Sequence, residues 1–268
     1  MFTGHRAITD PFEQGTLRSI NASDGLTVRG QMTVLGHDLK SAQGKLSRRS
    51  SKSNWTSPCN AHSWMPITTL FLDIGGVLLT NGWDHHVRRR AAKHFKLPWV
   101  ELQDRHGLMF ETHEEGKLTF DEYLGRLVFY RKRPFTRVQF RSFMLAQSKP
   151  YSEMINLVTR LKLRYGLRIA VVNNELREVN AYRIRKFELD RFVDCSISSC
   201  FVHIRKPDAD IFWLALDIAQ APARQVVYIE NTRMFVQITE GLGIRSILHT
   251  DYKSTCAKLA PFGLDEKD

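Results

Sequence analysis

The chain has 268 residues, enough for one large α/β domain or for a core domain with an insertion. Hydrophobic residues make up 43% and charged residues 25%, as in ordinary globular proteins. No apolar run approaches the roughly 20 residues that span a bilayer, and four scattered cysteines exclude a disulfide scaffold. We therefore expect a cytoplasmic protein with reduced thiols and no membrane contact.

The formal net charge of +11 raises the question of a nucleic-acid partner. The basic residues are spread along predicted helices, as at Arg88–Arg90 and at Arg183, Arg185 and Lys186. No known nucleic-acid-binding motif accompanies them. We expect solvated helix faces and an attraction for small anions such as phosphate esters, and we do not expect a nucleic-acid partner.

Residues 1–64 show no sustained hydrophobic period, and Ser47–Ser57 is a polar, basic stretch. Two short apolar stretches, Leu26–Val28 and Met32–Leu35, are candidates for a weak hairpin. We predict a mostly disordered basic extension over residues 1–64.

From Met65 onward, predicted strands alternate with predicted helices. The predicted strands are Thr69–Leu79 (interrupted by Asp73 and two glycines), Leu167–Val172, Phe192–Ile197, Gln225–Ile229 and Ile244–His249. The predicted helices are Asp84–His94, Trp99–Phe110, Thr119–Val128, Thr136–Ala146, Tyr151–Tyr165, Leu176–Phe187, Asp208–Ala219, Arg233–Leu242 and Tyr252–Leu259. This alternation predicts an α/β fold with a Rossmann-like, doubly wound parallel sheet.

The helical block between the first and second strands has about 70 residues, which is too long for a simple crossover. We predict a helical cap over residues 81–150, inserted after the first strand. The core domain would then comprise residues 65–80 and 151–268. Thr119, followed three residues later by Glu122, is the pattern of a capping box at the start of a cap helix.

Polar side chains follow three of the predicted strands directly. Asp73, Asn173 and Glu230 each come just past a strand. Because ligands of parallel α/β sheets bind at the carboxyl ends of the strands, we expect these side chains to converge on one site.

Four sequence segments carry a resemblance to a known family. LFLDIGGVLL, VVNN, RKPDADIF and VVYIEN resemble, in order, spacing and context, the four motifs of the haloacid dehalogenase-like (HAD) hydrolase superfamily. The chain is most similar to C1-capped, phosphatase-like members whose first motif reads DxGGV. The resemblance covers about residues 66–264.

The resemblance implies a role for each motif residue. Asp73 would be the nucleophile that forms an aspartyl-phosphate, Lys206 the electrostatic stabiliser and Asn173 the phosphate hydrogen-bond donor. Asn174, Gly75 and Gly76 would contact the substrate. The implied cofactor is Mg²⁺, and its ligands would be Asp73, the Gly75 carbonyl, Glu230 and Asn231. Pro207 would begin the helix after Lys206.

Three positions depart from the family pattern. Gly75 stands where many phosphatases have a second Asp that protonates the leaving group, a contribution of about 10² to 10⁴ in rate. Asn173 replaces a Ser or Thr hydroxyl. Asn231 replaces a carboxylate, which weakens a site for a hard cation. These departures predict weakened, redirected or lost activity.

The sequence therefore leaves three functional hypotheses. The first is Mg²⁺-dependent hydrolysis of a small phosphorylated metabolite through Asp73. The second is a catalytically silent HAD-like binding protein, motivated by the three departures. The third is a 2-haloacid dehalogenase, which would need a carboxylate-binding arginine in the cap and no metal.

We expect Trp83 to pack inside the cap, and Phe120, Leu124 and Leu127 to form part of its core. A metal site at His85 and His86 is not expected, because adjacent helical residues point in different directions.

Overall fold

A computed structural model describes residues 65–265 of the chain. Within this range, no helix is long and apolar enough to cross a membrane. The predictions for residues 1–64, including the weak hairpin, lie outside the described residues.

Five parallel strands form one sheet in the order β3-β2-β1-β4-β5. The strands are β1 (Thr69–Leu72), β2 (Arg168–Asn173), β3 (Cys195–Ser198), β4 (Val226–Glu230) and β5 (Arg245–Leu248). The central strand β1 pairs with β2 and β4, and all four of its residues are buried. This confirms the predicted α/β fold and places the ends of β1, β2 and β4 side by side.

Eleven α-helices occur in the described range. Five lie between β1 and β2: α1 (His85–His94), α2 (Trp99–Gly107), α3 (Phe110–Glu114), α4 (Phe120–Leu127) and α5 (Arg137–Leu145). The others are α6 (Ser152–Tyr165), α7 (Arg177–Lys186), α8 (Ser199–Val202), α9 (Asp210–Ala219), α10 (Arg233–Gly241) and α11 (Tyr252–Leu259). Short 3-10 turns cover Leu189–Arg191, Ala223–Gln225 and Ala260–Phe262.

Both faces of the sheet are covered, as the alternation of side chains along β1 requires. Leu70 and Leu72 point to one face, where they pack with Leu157 and other residues of α6. Phe71 points to the opposite face and packs with Phe212 of α9. Successive strand residues face opposite sides, so an apolar run without alternation is the pattern of a strand buried on both faces.

Four of the five helices between β1 and β2 (α1, α2, α4 and α5) contribute to a third hydrophobic cluster. The predicted stripe of Phe120, Leu124 and Leu127 is buried in it, which confirms the packing prediction. The cluster also includes Leu176 and Val179 at the start of α7. The division of the chain into a core domain and a cap domain stays a prediction.

Local capping explains why two of these helices begin where they do. Thr119 and Glu122 form the predicted capping box, with Glu122 Oε2 accepting from Thr119 N at 2.8 Å. Thr136 and Gln139 form a second box at α5. Each such cap contributes about 1 kcal/mol.

Several element boundaries differ from the predictions. β1 ends at Leu72 and not at Leu79, because the chain turns at Gly76 (φ 79°) and Leu78 N donates back to Ile74 O at 3.0 Å. The helix predicted over Trp99–Phe110 divides into α2 and α3.

The helix predicted to begin at Pro207 is another boundary that was wrong. α9 begins at Asp210, and Asp208 Oδ1 accepts a hydrogen bond from Asp210 N at 2.9 Å. The Asp208 side chain thus forms an Asx-type turn before the helix, which competes with helical backbone pairing at this point.

Candidate active site

The ends of β1 and β4 bring two carboxylates and a lysine into direct contact. Asp73 follows β1, and its backbone N donates to Ile229 O of β4 at 3.0 Å. Lys206 Nζ lies 2.9 Å from Asp73 Oδ1 and 2.7 Å from Glu230 Oε2. Asp73 is 7% exposed and the other two side chains are almost fully buried. The structure thus brings three of the predicted site residues together.

Burial sets the protonation behaviour of this group. It raises the pKa of Asp73 to about 7, with Lys206 opposing the rise and Glu230 adding to it. Burial by itself would lower the pKa of Lys206, but the charges of Asp73 and Glu230 outweigh it and raise that pKa. The ammonium therefore stays charged and holds the two acids in place.

Tyr228 completes the buried group and was not predicted from the sequence. Its hydroxyl accepts from Lys206 Nζ at 3.0 Å and donates to Glu230 Oε2 at 2.5 Å. Burial and the nearby carboxylates raise the pKa of Tyr228 well above its usual value, so the hydroxyl stays protonated. One feature of the sequence could have indicated this role: Tyr228 is the single phenol in an otherwise aliphatic strand. It comes two residues before Glu230, so the two side chains lie on the same face of the strand.

Asn231 lies against the loop that follows β1. Its side-chain amide is 2.9 Å from Glu230 Oε1 and 3.1 Å from the Gly75 carbonyl oxygen. Gly76 has φ 79°, and a Cβ atom there would lie 2.1 Å from Asn231 Nδ2. Position 76 therefore requires glycine for both its backbone conformation and its contact with Asn231.

These groups fit a small hard cation. With the Asn231 nitrogen turned toward Gly75 O and Glu230 Oε1, the amide donates to both. With the Asn231 oxygen turned toward Gly75 O and Glu230 Oε1 instead, three oxygens lie close together. Their spacings are close to the roughly 2.9 Å between adjacent ligands of octahedral Mg²⁺. Among residues 65–265, however, no cluster of three His, Cys, Asp or Glu side chains could hold a metal. The possible donors are a carbonyl, an amide and carboxylates, and the Mg²⁺ site stays a prediction.

The two asparagines after β2 have different surroundings. Asn174 faces the site, where its Oδ1 accepts from Lys206 N at 2.9 Å and its Nδ2 donates to Lys206 O at 2.8 Å. Asn173 is 1% exposed, and its Oδ1 accepts from Ser198 Oγ at 2.7 Å. The amide that faces the site therefore belongs to Asn174, which positions the backbone of the lysine. The phosphate-donor role of Asn173 stays a prediction.

A cavity of about 550 Å³ lies above this group and reaches the helices α1–α4. Asp73, Gly75, Asn174, Lys206, Glu230 and Asn231 line it, whereas Gly76 and Asn173 do not. From the helical side it is lined by Trp83, Asp84, His85, Arg88, Gln103, His106, Phe110, His113, Glu114 and Tyr123. A cavity of this size accommodates a small metabolite.

Two arginines predicted to be solvated are instead part of the cavity wall. Arg183 is 2% exposed: it pairs with Glu175, and its Nε donates to Ser148 Oγ at 3.0 Å. Arg88 is half-buried, while its neighbours Arg89 and Arg90 are exposed as expected. The prediction failed at Arg88 and Arg183 because a charged helix gives no local signal for the face that meets another element.

The packing prediction for Trp83 is confirmed. Trp83 packs edge-on against Phe140, and its Nε1 donates to Tyr123 Oη at 2.8 Å. The rings of His85 and His86 are perpendicular, and no described residues gather with them into a metal-binding cluster.

The structure combines a parallel α/β sheet with carboxylates at the ends of two neighbouring strands and a lysine held between them. The model of the haloacid dehalogenase-like hydrolase family matches residues 67–233. This chain belongs to that family.

Known relatives are distant. The chain is 23% identical over 188 residues to a phosphorylated carbohydrates phosphatase of Thermotoga maritima, covering 66% of this chain and 82% of the relative. A HAD family enzyme of Bacteroides thetaiotaomicron superposes with a TM-score of 0.61 at 17% identity, covering 69% and 95% of the two chains. That enzyme has also been solved in complex with magnesium and inorganic phosphate.

An L-2-haloacid dehalogenase superposes as well, with a TM-score of 0.52 at 16% identity over 68% of this chain and 86% of the dehalogenase. Because phosphatase-related and dehalogenase relatives share the fold, these likenesses establish the architecture and leave the reaction to the site itself.

Proposed function

We propose that this protein hydrolyses the phosphate ester of a small phosphorylated metabolite, with Mg²⁺ as cofactor and Asp73 as nucleophile. The observation that carries the proposal is Lys206 Nζ, held between Asp73 Oδ1 at 2.9 Å and Glu230 Oε2 at 2.7 Å. The phosphatase relative from Thermotoga maritima supports a phosphorylated carbohydrate as the substrate class. Helices α1–α5, inserted between β1 and β2, support the C1-capped subfamily.

In the first half of the reaction, Asp73 attacks phosphorus. Lys206 binds Asp73 Oδ1, which leaves Oδ2 as the attacking oxygen. A bond forms between this oxygen and phosphorus while the bond from phosphorus to the alcohol oxygen breaks. Lys206 stabilises the negative charge that gathers between the reacting groups.

The leaving alcohol must also gain a proton. Gly75 has no side chain to supply one, so the proton comes from water or from another group in the cavity. This lowers the rate with poor leaving groups by about 10² to 10⁴ relative to a site with an acid at that position. We therefore expect aryl phosphates, whose leaving groups need no proton, to react faster than alkyl phosphates.

In the second half, water attacks the aspartyl-phosphate, inorganic phosphate leaves and the Asp73 carboxylate is restored. Asp73, the Gly75 carbonyl, Glu230 and Asn231 would hold Mg²⁺. When bound, the cation offsets the negative charge of the phosphoryl group. Asn174 keeps the backbone of Lys206 in place through its paired hydrogen bonds.

The test is a panel of phosphate esters, incubated with and without Mg²⁺, on the wild type and Asp73→Asn. We expect phosphate release that requires Mg²⁺ and is lost in Asp73→Asn. Full activity of that variant would show that Asp73 is not the nucleophile.

A catalytically silent protein is the second candidate, favoured by Gly75 and by the amide at Asn231. Titration with Mg²⁺ and beryllofluoride separates the two, because a competent Asp73 binds this phosphate mimic tightly. A dehalogenase is the third candidate, favoured by Arg88 in the cavity wall. It would release halide from a 2-haloacid without any metal.

A further inference from the structure

Arg88 is a cation in the cavity wall whose role the proposed hydrolysis does not explain. Its Nε donates to Gln103 Oε1 at 2.6 Å, and its Nη1 donates to the Trp83 carbonyl oxygen at 2.5 Å. Its Nη2 donates to no described residue. A guanidinium has five N–H donors, so the greater part of its hydrogen-bonding capacity is available to a ligand.

Arg88 differs from the other Lys and Arg side chains of the cavity wall in its ion pairing. Four Lys or Arg side chains line it, and three have a carboxylate partner: Arg183 with Glu175, Arg205 with Glu114, and Lys206 with Asp73 and Glu230. In the described part of the chain, no carboxylate lies within 4.0 Å of the Arg88 guanidinium.

No neighbouring carboxylate forms an ion pair with Arg88, although Asp84 and Glu114 partly offset its charge from a longer distance. Asp84 Oδ1 accepts from Val87 N at 2.8 Å as the N-cap of α1. Glu114 pairs with Arg205 at 2.9 Å. Burial and the charge of Arg88 lower the pKa of His106 to about 3, so this ring is neutral. A partly desolvated cation without an ion pair attracts an anion.

We propose that Arg88 binds a second oxyanion of the substrate, a carboxylate or a second phosphoryl group, while the scissile phosphate lies at Asp73. The planar fork of an arginine matches both oxyanions, and both can accept two parallel hydrogen bonds from it. The inference rests on the proposed hydrolysis and narrows its substrate class. The preferred substrates are small phosphate monoesters that carry a further negative charge.

Two matched substrate pairs test this. 3-Phosphoglycerate and glycerol 3-phosphate differ in a carboxylate, and fructose 1,6-bisphosphate and fructose 6-phosphate differ in a second phosphate. We expect the wild type to prefer the doubly anionic member of one or both pairs. In Arg88→Met the KM for that member should rise about 10- to 100-fold, the range for losing hydrogen bonds to a charged group. The KM and kcat for the singly charged member should stay near the wild-type values.

Two further variants control for charge and shape. Arg89→Met removes the same charge from the next position of α1, which is exposed and outside the cavity wall, so both pairs should react as in the wild type. Arg88→Lys keeps the charge but loses the planar fork, and its KM should lie between those of the wild type and Arg88→Met. Retained turnover of the singly charged substrates shows that Arg88→Met is folded.

Binding measurements separate this inference from the proposed function. Calorimetric titration of both substrate pairs into Asp73→Asn, with and without Arg88→Met, needs no turnover. If Asp73→Asn binds the doubly anionic member more tightly and this preference is lost when Arg88→Met is added, the result supports the anion site. This holds even if no phosphate is ever released. Equal affinity for both members of each pair, or an equal loss for both on replacing Arg88, would overturn it.

Discussion

The side chains at the ends of β1 and β4 are buried charges that stabilise one another. Lys206 contacts Asp73, Glu230 and Tyr228 at distances of 2.7 to 3.0 Å. Breaking such a buried group costs about 3–5 kcal/mol, because the remaining charge is left without a partner. The same contacts that keep the site intact also hold Asp73, the proposed nucleophile, so stability and the proposed reaction depend on the same residues here.

Asn231 provides the clearest prediction at the scale of single residues. In Asn231→Asp, a carboxylate replaces an amide that lies 2.9 Å from Glu230 Oε1 and 3.1 Å from Gly75 O. Repulsion should lower the free energy of unfolding by about 1–3 kcal/mol without metal. Mg²⁺ binding should offset this loss, since the extra carboxylate adds a ligand of the kind the cation prefers.

The measurement is thermal unfolding over a Mg²⁺ titration. Without Mg²⁺, Asn231→Asp should have a lower Tm than the wild type. Added Mg²⁺ should raise the Tm of Asn231→Asp by more than it raises the Tm of the wild type. Asn231→Ala is the matched control, because it removes the same amide without adding charge, and its Mg²⁺-dependent gain should be smaller than that of the wild type. The same gain in all three proteins would exclude Asn231 from the metal site.

At the scale of elements, α3 and α4 meet through the buried ring of His113. His113 is 1% exposed and stacks on Tyr123 with the ring centroids 4.1 Å apart. Its Nδ1 lies 3.0 Å from the Leu118 carbonyl oxygen, while its Nε2 has no hydrogen-bond partner among residues 65–265. Burial lowers the pKa of His113 to about 4. This helix packing therefore requires the neutral ring.

The lowered pKa makes the packing sensitive to acid. Between pH 6.5 and pH 4 the unfolded chain takes up a proton on His113 that the folded chain does not, so the folded state loses stability as the pH falls. From pH 7 to pH 5 this amounts to about 2 kcal/mol. In His113→Phe this part of the pH dependence should be absent.

The two proteins are compared by urea unfolding at pH 5, 6, 7 and 8. Burial raises the pKa values of Glu114 and Glu175, which act in the opposite direction, so the difference between wild type and variant is the quantity that matters. That difference should change between pH 7 and pH 5 and stay constant between pH 7 and pH 8. A constant difference at all four pH values would contradict the assignment to His113.

At the scale of the whole molecule, the helical segment α1–α5 contacts the sheet through α3 and α8. Arg205 Nη1 pairs with Glu111 at 3.1 Å and Nη2 with Glu114 at 2.9 Å, directly before Lys206 in sequence. Ser199 Oγ donates to the Glu114 carbonyl oxygen at 2.7 Å. These contacts fix the helical wall of the cavity relative to Asp73.

Gly116 allows this close approach. It has φ 71°, and a Cβ atom there would lie 2.2 Å from the carbonyl oxygen of Cys200. Gly116→Ala should therefore push α3 away from α8 and lower kcat/KM at least tenfold, since small displacements in a catalytic site are costly. Gly243→Ala is the matched control: its φ is 78°, but no atom lies within 4 Å of the added Cβ.

Steady-state kinetics and urea unfolding of both variants distinguish the effect of backbone strain from the effect of losing the contact between α3 and α8. Each should lose about 1–3 kcal/mol of stability from a positive φ, but only Gly116→Ala should lose activity. Equal activity in the two variants would show that the contact between α3 and α8 does not position the site.

The sequence by itself determined the order of the elements, the parallel sheet and the meeting of Asp73 with Glu230. These follow from local periodicity and from the rule that parallel strands end at the same edge of a sheet, so a strand and the residue after it are enough to predict them. The capping box at Thr119 is likewise local, since its two partners are three residues apart.

Only the tertiary structure decided which other side chains complete the site. The Tyr228 hydroxyl joins Lys206, the Asn173 amide is directed at Ser198, and Arg88 and Arg183 line the cavity instead of facing solvent. Each depends on contacts between different elements, and helical or strand periodicity carries no information about which partner meets a given face. That Arg88 forms no ion pair among residues 65–265 is visible only in the three-dimensional structure, where Glu114 pairs with Arg205 instead.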